Sequence, residues 1–158
     1  LYNFHFSLLP KYRGCHTNFY QILKGEKTSG VTLHKIDSGI DTGDIVDSIT
    51  FKIKINDTAY KNYLRLMKYS FLLFKTNFNK IIKGNFKLKK QNLENGSYFS
   101  RQSVDYNSLK KIEKIDNKVS THNLIRSLIF PPFQLPIYKN KKIKKIFFNK
   151  NKIKIFFK

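Results

Sequence analysis

Three polar side chains near the start of the chain have the types and spacing for chemistry at a carbonyl: Asn3, His5 and Asp41. Asn3 and His5 sit in NFHFSLLPKYRG (3–14), where aromatic and polar residues alternate as they do at a strand end. Strand side chains repeat with a period of two, so the amide and the imidazole face the same way. Pro10 and Gly14 then close the strand into a tight loop. Asp41 lies thirty-six positions beyond His5, in the turn-rich run DSGIDTG (37–43). Both fall at strand-to-loop junctions, where open α/β sheets place ligands. A carboxylate facing an imidazole holds one tautomer and favours its cation. An amide beside an imidazolium suits an oxygen gaining negative charge, and the carboxylate can take a proton from an attacking amine. Taken alone, however, a His with a distant Asp is more often a structural pair than a catalytic one.

The elements that must position these groups can be read from the pattern. HTNFYQILK (16–24) has apolar residues at helical spacing and stops at Gly25. SGVTLHKI (29–36) and DIVDSITFKIKI (44–55) alternate, which predicts a long hairpin with the acidic run at its tip. Asn56-Asp57-Thr58 is a helix-start signal. One amphipathic helix is expected from there to Lys83, stopped by Gly84. Its core-facing stripe is expected to run from Tyr60, Tyr63 and Leu64 through Met67, Phe71 and Phe74 to Phe78, Ile81 and Ile82. Residues 85–108 are turn-rich, and 120–129 reads as a short helix broken by Pro131, Pro132 and Pro136. The end, 137–158, alternates Lys with Ile and Phe, as one or two exposed edge strands would.

The 158 residues suffice for one domain with a short appendix, and 41% hydrophobic content supports a core. The formal charge of +21 comes overwhelmingly from Lys spread beside Asn, Ile and Phe. That is compositional bias more than a nucleic-acid surface, so a nucleic-acid partner is not expected. The single Cys15 excludes an internal disulfide. With no signal peptide and no apolar run near the ~18 residues that span a bilayer, a cytoplasmic protein is expected. There is no Cys/His cluster with zinc spacing, so no metal is expected. Ser7 lacks a nucleophile-elbow setting, and His34 and His122 read as structural.

NFHFSLLPKYRG followed by GVTLHKIDSGIDTGDI resembles the formyltransferase family that uses 10-formyltetrahydrofolate. The match consists of Asn3, His5, Ser7 to Pro10, Gly30 to His34 and Asp37 to Gly43, with no gap. The family usually has Pro after the His, where this chain has Phe6. The resemblance implies a catalytic trio of Asn3, His5 and Asp41, with the first two stabilising the oxyanion and Asp41 orienting His5. It implies that Asp37, Ser38, Gly39, Ile40 and Thr42 surround the folate co-substrate. RGCHTNF (13–19), Tyr98 with Arg101 and Asp105, and IRSL (125–128) running into FPPF (130–133) resemble the sugar-nucleotide branch. Tyr12, Arg13, His16 and Asn18 would then bind the acceptor, a nucleotide-linked amino-deoxysugar whose amine is formylated, in a homodimer. The alternatives are a methionyl-tRNA formyltransferase and a non-catalytic remnant or interaction module.

The implied fold is α/β: the C-terminal part of a Rossmann-like formyltransferase domain over residues 1–91, with a long hairpin and a long helix. A small β-rich extension is expected over 92–158. Family members carry several strands before this motif, so the chain is expected to be inactive alone.

Overall fold

The computed structural model describes residues 1–131 and 133–158, so Pro132, part of the expected proline break, lies outside the described residues. In chain order the elements are β1 (Tyr2–His5), β2 (Arg13–Gly14), α1 (Thr17–Leu23), β3 (Thr28–Lys35), β4 (Ile45–Lys52) and α2 (Ala59–Lys83). They continue with β5 (Tyr98–Phe99), α3 (Tyr106–Leu109), β6 (Lys111–Ile112), α4 (Lys118–Leu128), β7 (Ile137–Tyr138), β8 (Lys141–Asn149) and β9 (Lys152–Phe157). The chain divides into two compact units, each discontinuous in sequence. Unit 1 comprises Leu1–Thr17, Thr28–Lys52 and Leu64–Arg101; unit 2 comprises Asn18–Lys27, Ile53–Tyr63 and Gln102–Lys158.

Unit 1 is built on an antiparallel sheet of order β1-β3-β4. Val31, Leu33, Phe51, Leu66 and Leu73 form its buried core, and Tyr2, Phe4 and Phe6 pack against it. Because alternate residues of β1 point inward, Asn3 and His5 stand on the opposite face. There they are paired in register with His34 and Thr32 of β3. The loop that follows is anchored by the buried Thr32 hydroxyl, which donates to the Ser7 carbonyl at 2.7 Å and accepts from the Leu9 N–H at 3.1 Å. The Ser7 hydroxyl in turn donates to the Lys11 carbonyl at 2.7 Å. β2 pairs in parallel with β5, and Gly14 there has φ +86°. A Cβ at Gly14 would collide with the Phe99 carbonyl, so both the backbone angle and the close approach require glycine.

The long helix begins and ends near the places the sequence predicts, with the Thr58 hydroxyl accepting from the Lys61 N–H at 3.2 Å and Gly84 following at φ +63°. Its inward face differs from the expected one. In unit 1 the buried positions are Leu66, Leu73 and Asn77, and Tyr69 stacks on Phe51 with ring centroids 4.8 Å apart. The expected stripe is corrected at Leu64, Met67, Phe71, Phe74, Phe78 and Ile82, which are exposed, Phe71 and Ile82 to 68% each. Apolar residues cover more than one face of this helix, so periodicity does not select between them. A buried Asn decides: Asn77 Nδ2 donates to the Asp47 carboxylate at 2.8 Å and to the Leu73 carbonyl at 3.0 Å, so burying it costs little.

Unit 2 has a four-stranded sheet of order β6-β7-β8-β9, covered by α4. Its core joins Phe19, Ile112, Ile125, Leu128, Ile129, Ile143 and Ile146. The Lys-rich end thus forms three strands with β9 at the edge, its inward Ile residues carrying the core. Asn117 caps α4 by accepting from the Val119 and Ser120 N–H groups. The buried Arg126 guanidinium donates to the carbonyls of Asp57 (2.9 Å) and Ile22 (3.3 Å) and to the Asn123 amide oxygen (2.9 Å), tying three segments together.

Thr32→Val keeps the shape of this residue but leaves the Ser7 carbonyl and Leu9 N–H buried without a partner. Urea unfolding should show a loss of about 1–3 kcal/mol; an unchanged midpoint would show that the hydroxyl does not hold the loop.

Candidate active site

Each member of the site is placed by its own element. β1 presents Asn3 and His5, β3 presents His34, and the β3–β4 connection carries Asp41 at φ +54°. That connection is shaped from within. The Asp37 carboxylate accepts from the Thr42 hydroxyl at 2.7 Å and the Gly39 N–H at 3.1 Å, and the Thr42 bond in particular holds its pKa below the usual value. Gly43 lies so close to the Lys35 carbonyl that a Cβ has no room. An antiparallel bridge between Ile45 and Lys89 then brings Gln91 alongside. Its side-chain amide donates to the carbonyls of Asp41 (3.0 Å) and Gly43 (2.6 Å).

The Asp41 carboxylate is the meeting point. One oxygen, Oδ1, accepts from Asn3 Nδ2 at 3.2 Å and lies 3.5 Å from His34 Nε2. The other, Oδ2, accepts from the Gly14 N–H at 2.8 Å and lies 3.3 Å from His5 Nδ1. Burial opposes ionisation, but the groups that face the carboxylate, the His5 imidazole and the Gly14 N–H among them, outweigh it and hold the pKa at about 2. Asp41 is therefore an anion throughout the physiological range.

The two imidazoles differ. His34 Nδ1 lies 2.7 Å from the Lys35 carbonyl, which can only accept, so the hydrogen-bond network assigns the proton to Nδ1. His34 Nε2 is then left to accept from Asn3 Nδ2 at 3.3 Å. His5 instead lies between two acceptors: its Nε2 is 2.7 Å from the Tyr12 carbonyl and its Nδ1 faces Asp41. A neutral ring can donate to only one of them. Burial nevertheless dominates and lowers the His5 pKa, while Asp41 and the Tyr12 carbonyl pull it back up. The ring rests neutral, with both neighbours favouring the proton it lacks.

Comparison with known proteins follows from this geometry. Residues 1–72 match the formyl transferase family model. An N-formyltransferase from Helicobacter canadensis, solved with folinic acid and dTDP-3-aminofucose, is 45% identical at a TM-score of 0.85, over 93% of this chain and 54% of that one. WlaRD, a sugar 3N-formyltransferase solved with dTDP and 5-N-formyl-THF, is also 45% identical, with a TM-score of 0.87, over 95% of this chain and 54% of that one. The methionyl-tRNA formyltransferase of Clostridium tetani is 34% identical over 90% of this chain and 45% of its own length. The chain spans about half the length of these relatives. The family resemblance and the α/β fold read from the sequence are borne out by these matches.

Asn3, His5 and Asp41, far apart in sequence, come together within hydrogen-bonding or ion-pair range. Of the residues expected around the folate, Asp37 braces the loop, whereas Ser38, Gly39 and Ile40 are exposed. The Tyr12 ring is buried against Phe99, with centroids 5.9 Å apart, and the residue meets the site through its carbonyl. Arg13 is partly buried, with Nε lacking a partner among the described residues. His16 Nε2 is 2.9 Å from the Arg101 carbonyl. Asn18 belongs to unit 2. Sequence reasoning placed His34 in the packing; its register opposite Asn3 is seen only in the folded sheet. Gly14 and Gln91 act through a main-chain N–H and loop carbonyls, which no local pattern marks. Among the described residues no cluster of His, Cys, Asp and Glu could hold a metal ion, and no helix is long and apolar enough to cross a membrane.

The depressed Asp41 pKa has a thermodynamic consequence. Its stabilisation is present in full above the unfolded-state value of 3.8 and is lost as pH falls through about 2. Urea midpoints measured from pH 5 to pH 2 should therefore fall more steeply for the native chain than for Asp41→Asn; parallel curves would show that this carboxylate is not selectively stabilised by folding.

Proposed function

We propose that this chain supplies the reacting side chains for transfer of a formyl group from 10-formyltetrahydrofolate to the amine of a nucleotide-linked amino-deoxysugar. The observation that carries this reading is the Asp41 carboxylate meeting the Asn3 amide and the His5 imidazole on one face of the β1–β3 pair. Relatives solved with a reduced folate and a dTDP or dTDP-sugar support the choice of substrates.

As the amine adds to the formyl carbon, the carbonyl oxygen gains negative charge. Asn3 can turn one N–H from Asp41 or His34 toward it. His5, flanked by two acceptors, gains its second proton most readily when an anion forms beside it. Asp41 keeps that imidazole oriented and takes the proton the attacking nitrogen must lose. The C–N bond to the folate breaks as the amide forms, and the proton lost by the attacking nitrogen passes from Asp41 to the departing one. The Asp37–Thr42 segment is proposed to hold the folate's pterin through its loop groups, with Arg13 and His16 toward the acceptor. The polar pattern calls for no covalent enzyme intermediate.

Because the chain spans about half of its relatives, we propose that it needs the remaining family segment for full turnover, and that the working form is a homodimer in the cytoplasm. A methionyl-tRNA acceptor is the second reading, supported by the 34% identity to the Clostridium tetani enzyme. Steeply salt-dependent tRNA binding would favour it.

The test is formyl transfer to a panel of nucleotide-linked amino sugars. The chain should be assayed alone and joined to the part of the Helicobacter canadensis relative that it does not cover, with sedimentation to give the assembly state. Asn3→Ala and His5→Ala should each lower kcat about 100- to 1000-fold in the joined protein. Undiminished turnover in either variant would remove that residue from the reaction.

A further inference from the structure

His5 and Asp41 both depend on backbone groups that are themselves held by one stretch of unit 1, residues 89–99. The stretch is stitched to the site along its length. At its start, Lys89 and Ile45 exchange N–H to carbonyl bonds of 2.9 and 2.8 Å, which sets it beside the β3–β4 connection. At its end, β5 pairs with β2, and the Phe99 carbonyl accepts from the Cys15 N–H at 2.8 Å. Between these ends lie Gln91 and Ser97.

Gln91 Nε2 donates to the carbonyls of Asp41 and Gly43, at 3.0 and 2.6 Å. Both partners can only accept, so the amide nitrogen and not its oxygen must face the loop. The bond on the Asp41 carbonyl fixes the peptide that follows a residue at φ +54°, and with it the direction of the carboxylate. Ser97 holds the peptides on both sides of Tyr12, itself at φ +60°. Its hydroxyl accepts from the Tyr12 N–H and its carbonyl from the Arg13 N–H, each at 2.8 Å. The Arg13 N–H and the Tyr12 carbonyl belong to one planar trans peptide and point in opposite directions. Holding that N–H on Ser97 therefore aims the carbonyl the other way, at His5 Nε2 2.7 Å distant.

We propose that residues 89–99 form a strap that sets the reacting geometry, with Gln91 a positioning residue for the Asp41 carboxylate and Ser97 a positioning residue for the His5 imidazole. Each acts through a main-chain carbonyl. The His5 ring is thereby aligned at both nitrogens by groups that the strap holds: the Tyr12 carbonyl at Nε2 and Asp41 at Nδ1. Groups fixed before a charge develops need no reorganisation when it does, which is how such a site lowers a barrier. The nature of the reaction rests on the reading given above; the hold of the strap on the His5–Asp41 pair does not.

NMR titration of the His5 imidazole in the chain tests the hold, with Ser97→Ala, Ser97→Thr and Gln91→Leu. Burial lowers this pKa, Asp41 and the Tyr12 carbonyl raise it, and His34 lowers it. Loosening either acceptor should move the His5 midpoint down in Ser97→Ala and in Gln91→Leu. Ser97→Thr keeps the hydroxyl and should titrate as the native chain does. In the joined protein, Ser97→Ala should lower kcat about 10- to 100-fold with KM for the folate unchanged. Gln91→Leu should lower it by a similar factor with KM for the sugar nucleotide unchanged. Ser97 is only partly buried, so Ser97→Ala should fold, as urea unfolding will show; should Gln91→Leu not fold, the two Ser97 variants decide. A native His5 midpoint in folded Ser97→Ala, or a shift in Ser97→Thr as large as in Ser97→Ala, overturns the proposal. Shifted midpoints without any formyl transfer by the joined protein would sink the reaction read above and keep the strap's hold on the pair. Formyl transfer with native kcat in both Ser97→Ala and Gln91→Leu would keep the reaction and overturn the strap.

Discussion

Unit 1 depends on keeping one carboxylate charged in a half-buried place. Removing Asp41 from water disfavours its anion, and the chain answers with an N–H from Gly14, an amide from Asn3 and the His5 imidazole, with the His34 ring 3.5 Å away. These groups come from three separate stretches of chain, β1, β2 and β3. The anion therefore acts as a tie as well as a chemical group: each stretch is held where it is because it faces the same two oxygens. Buried charge is tolerated only when it is surrounded in this way. The left-handed backbone at Asp41, an unusual conformation for a residue with a side chain, persists because these contacts and the Gln91 amide over-determine it.

The environment of His5 follows from the same tie. Of its two neighbours, Asp41 is fixed by other donors and the Tyr12 carbonyl is fixed by its loop, where the Tyr12 N–H donates to the Ser97 hydroxyl at 2.8 Å. Neither can turn to become a donor. Burial removes the proton from the ring while the geometry retains two acceptors for it, and this opposition is an arrangement that a purely structural histidine has no need of. His34 shows the contrast, since its carbonyl partner at Lys35 and the donated amide of Asn3 suit a neutral ring on both sides.

Unit 2 handles its buried charge differently. Arg126 has carbonyl and amide oxygens as its hydrogen-bond acceptors, and burial lowers its pKa to about 10, still leaving it charged. The neighbouring His122, against Phe148, is driven by burial and then by Arg126 to about 4 and stays neutral. One buried cation suffices to join segments that share no regular hydrogen bonding, and the sheet and α4 supply the apolar area around it.

Local information in the sequence determined the element types. Alternation gave the β3–β4 hairpin, the Asn56-Asp57-Thr58 signal and Gly84 bounded α2, and the Asn-x-His spacing put two polar groups on one strand face, because each of these depends on neighbours within a few residues. The polar trio was legible for that reason together with the family motif. The inward face of α2 was not, since apolar residues occupy two of its faces and only the partners of Asn77 settle which one is buried. Nor were Gly14, His34 and Gln91 legible as parts of the Asp41 site. Their contribution is a main-chain N–H, a ring and an amide delivered across strands and loops, and a carboxylate's surroundings exist only once distant segments have been brought to it.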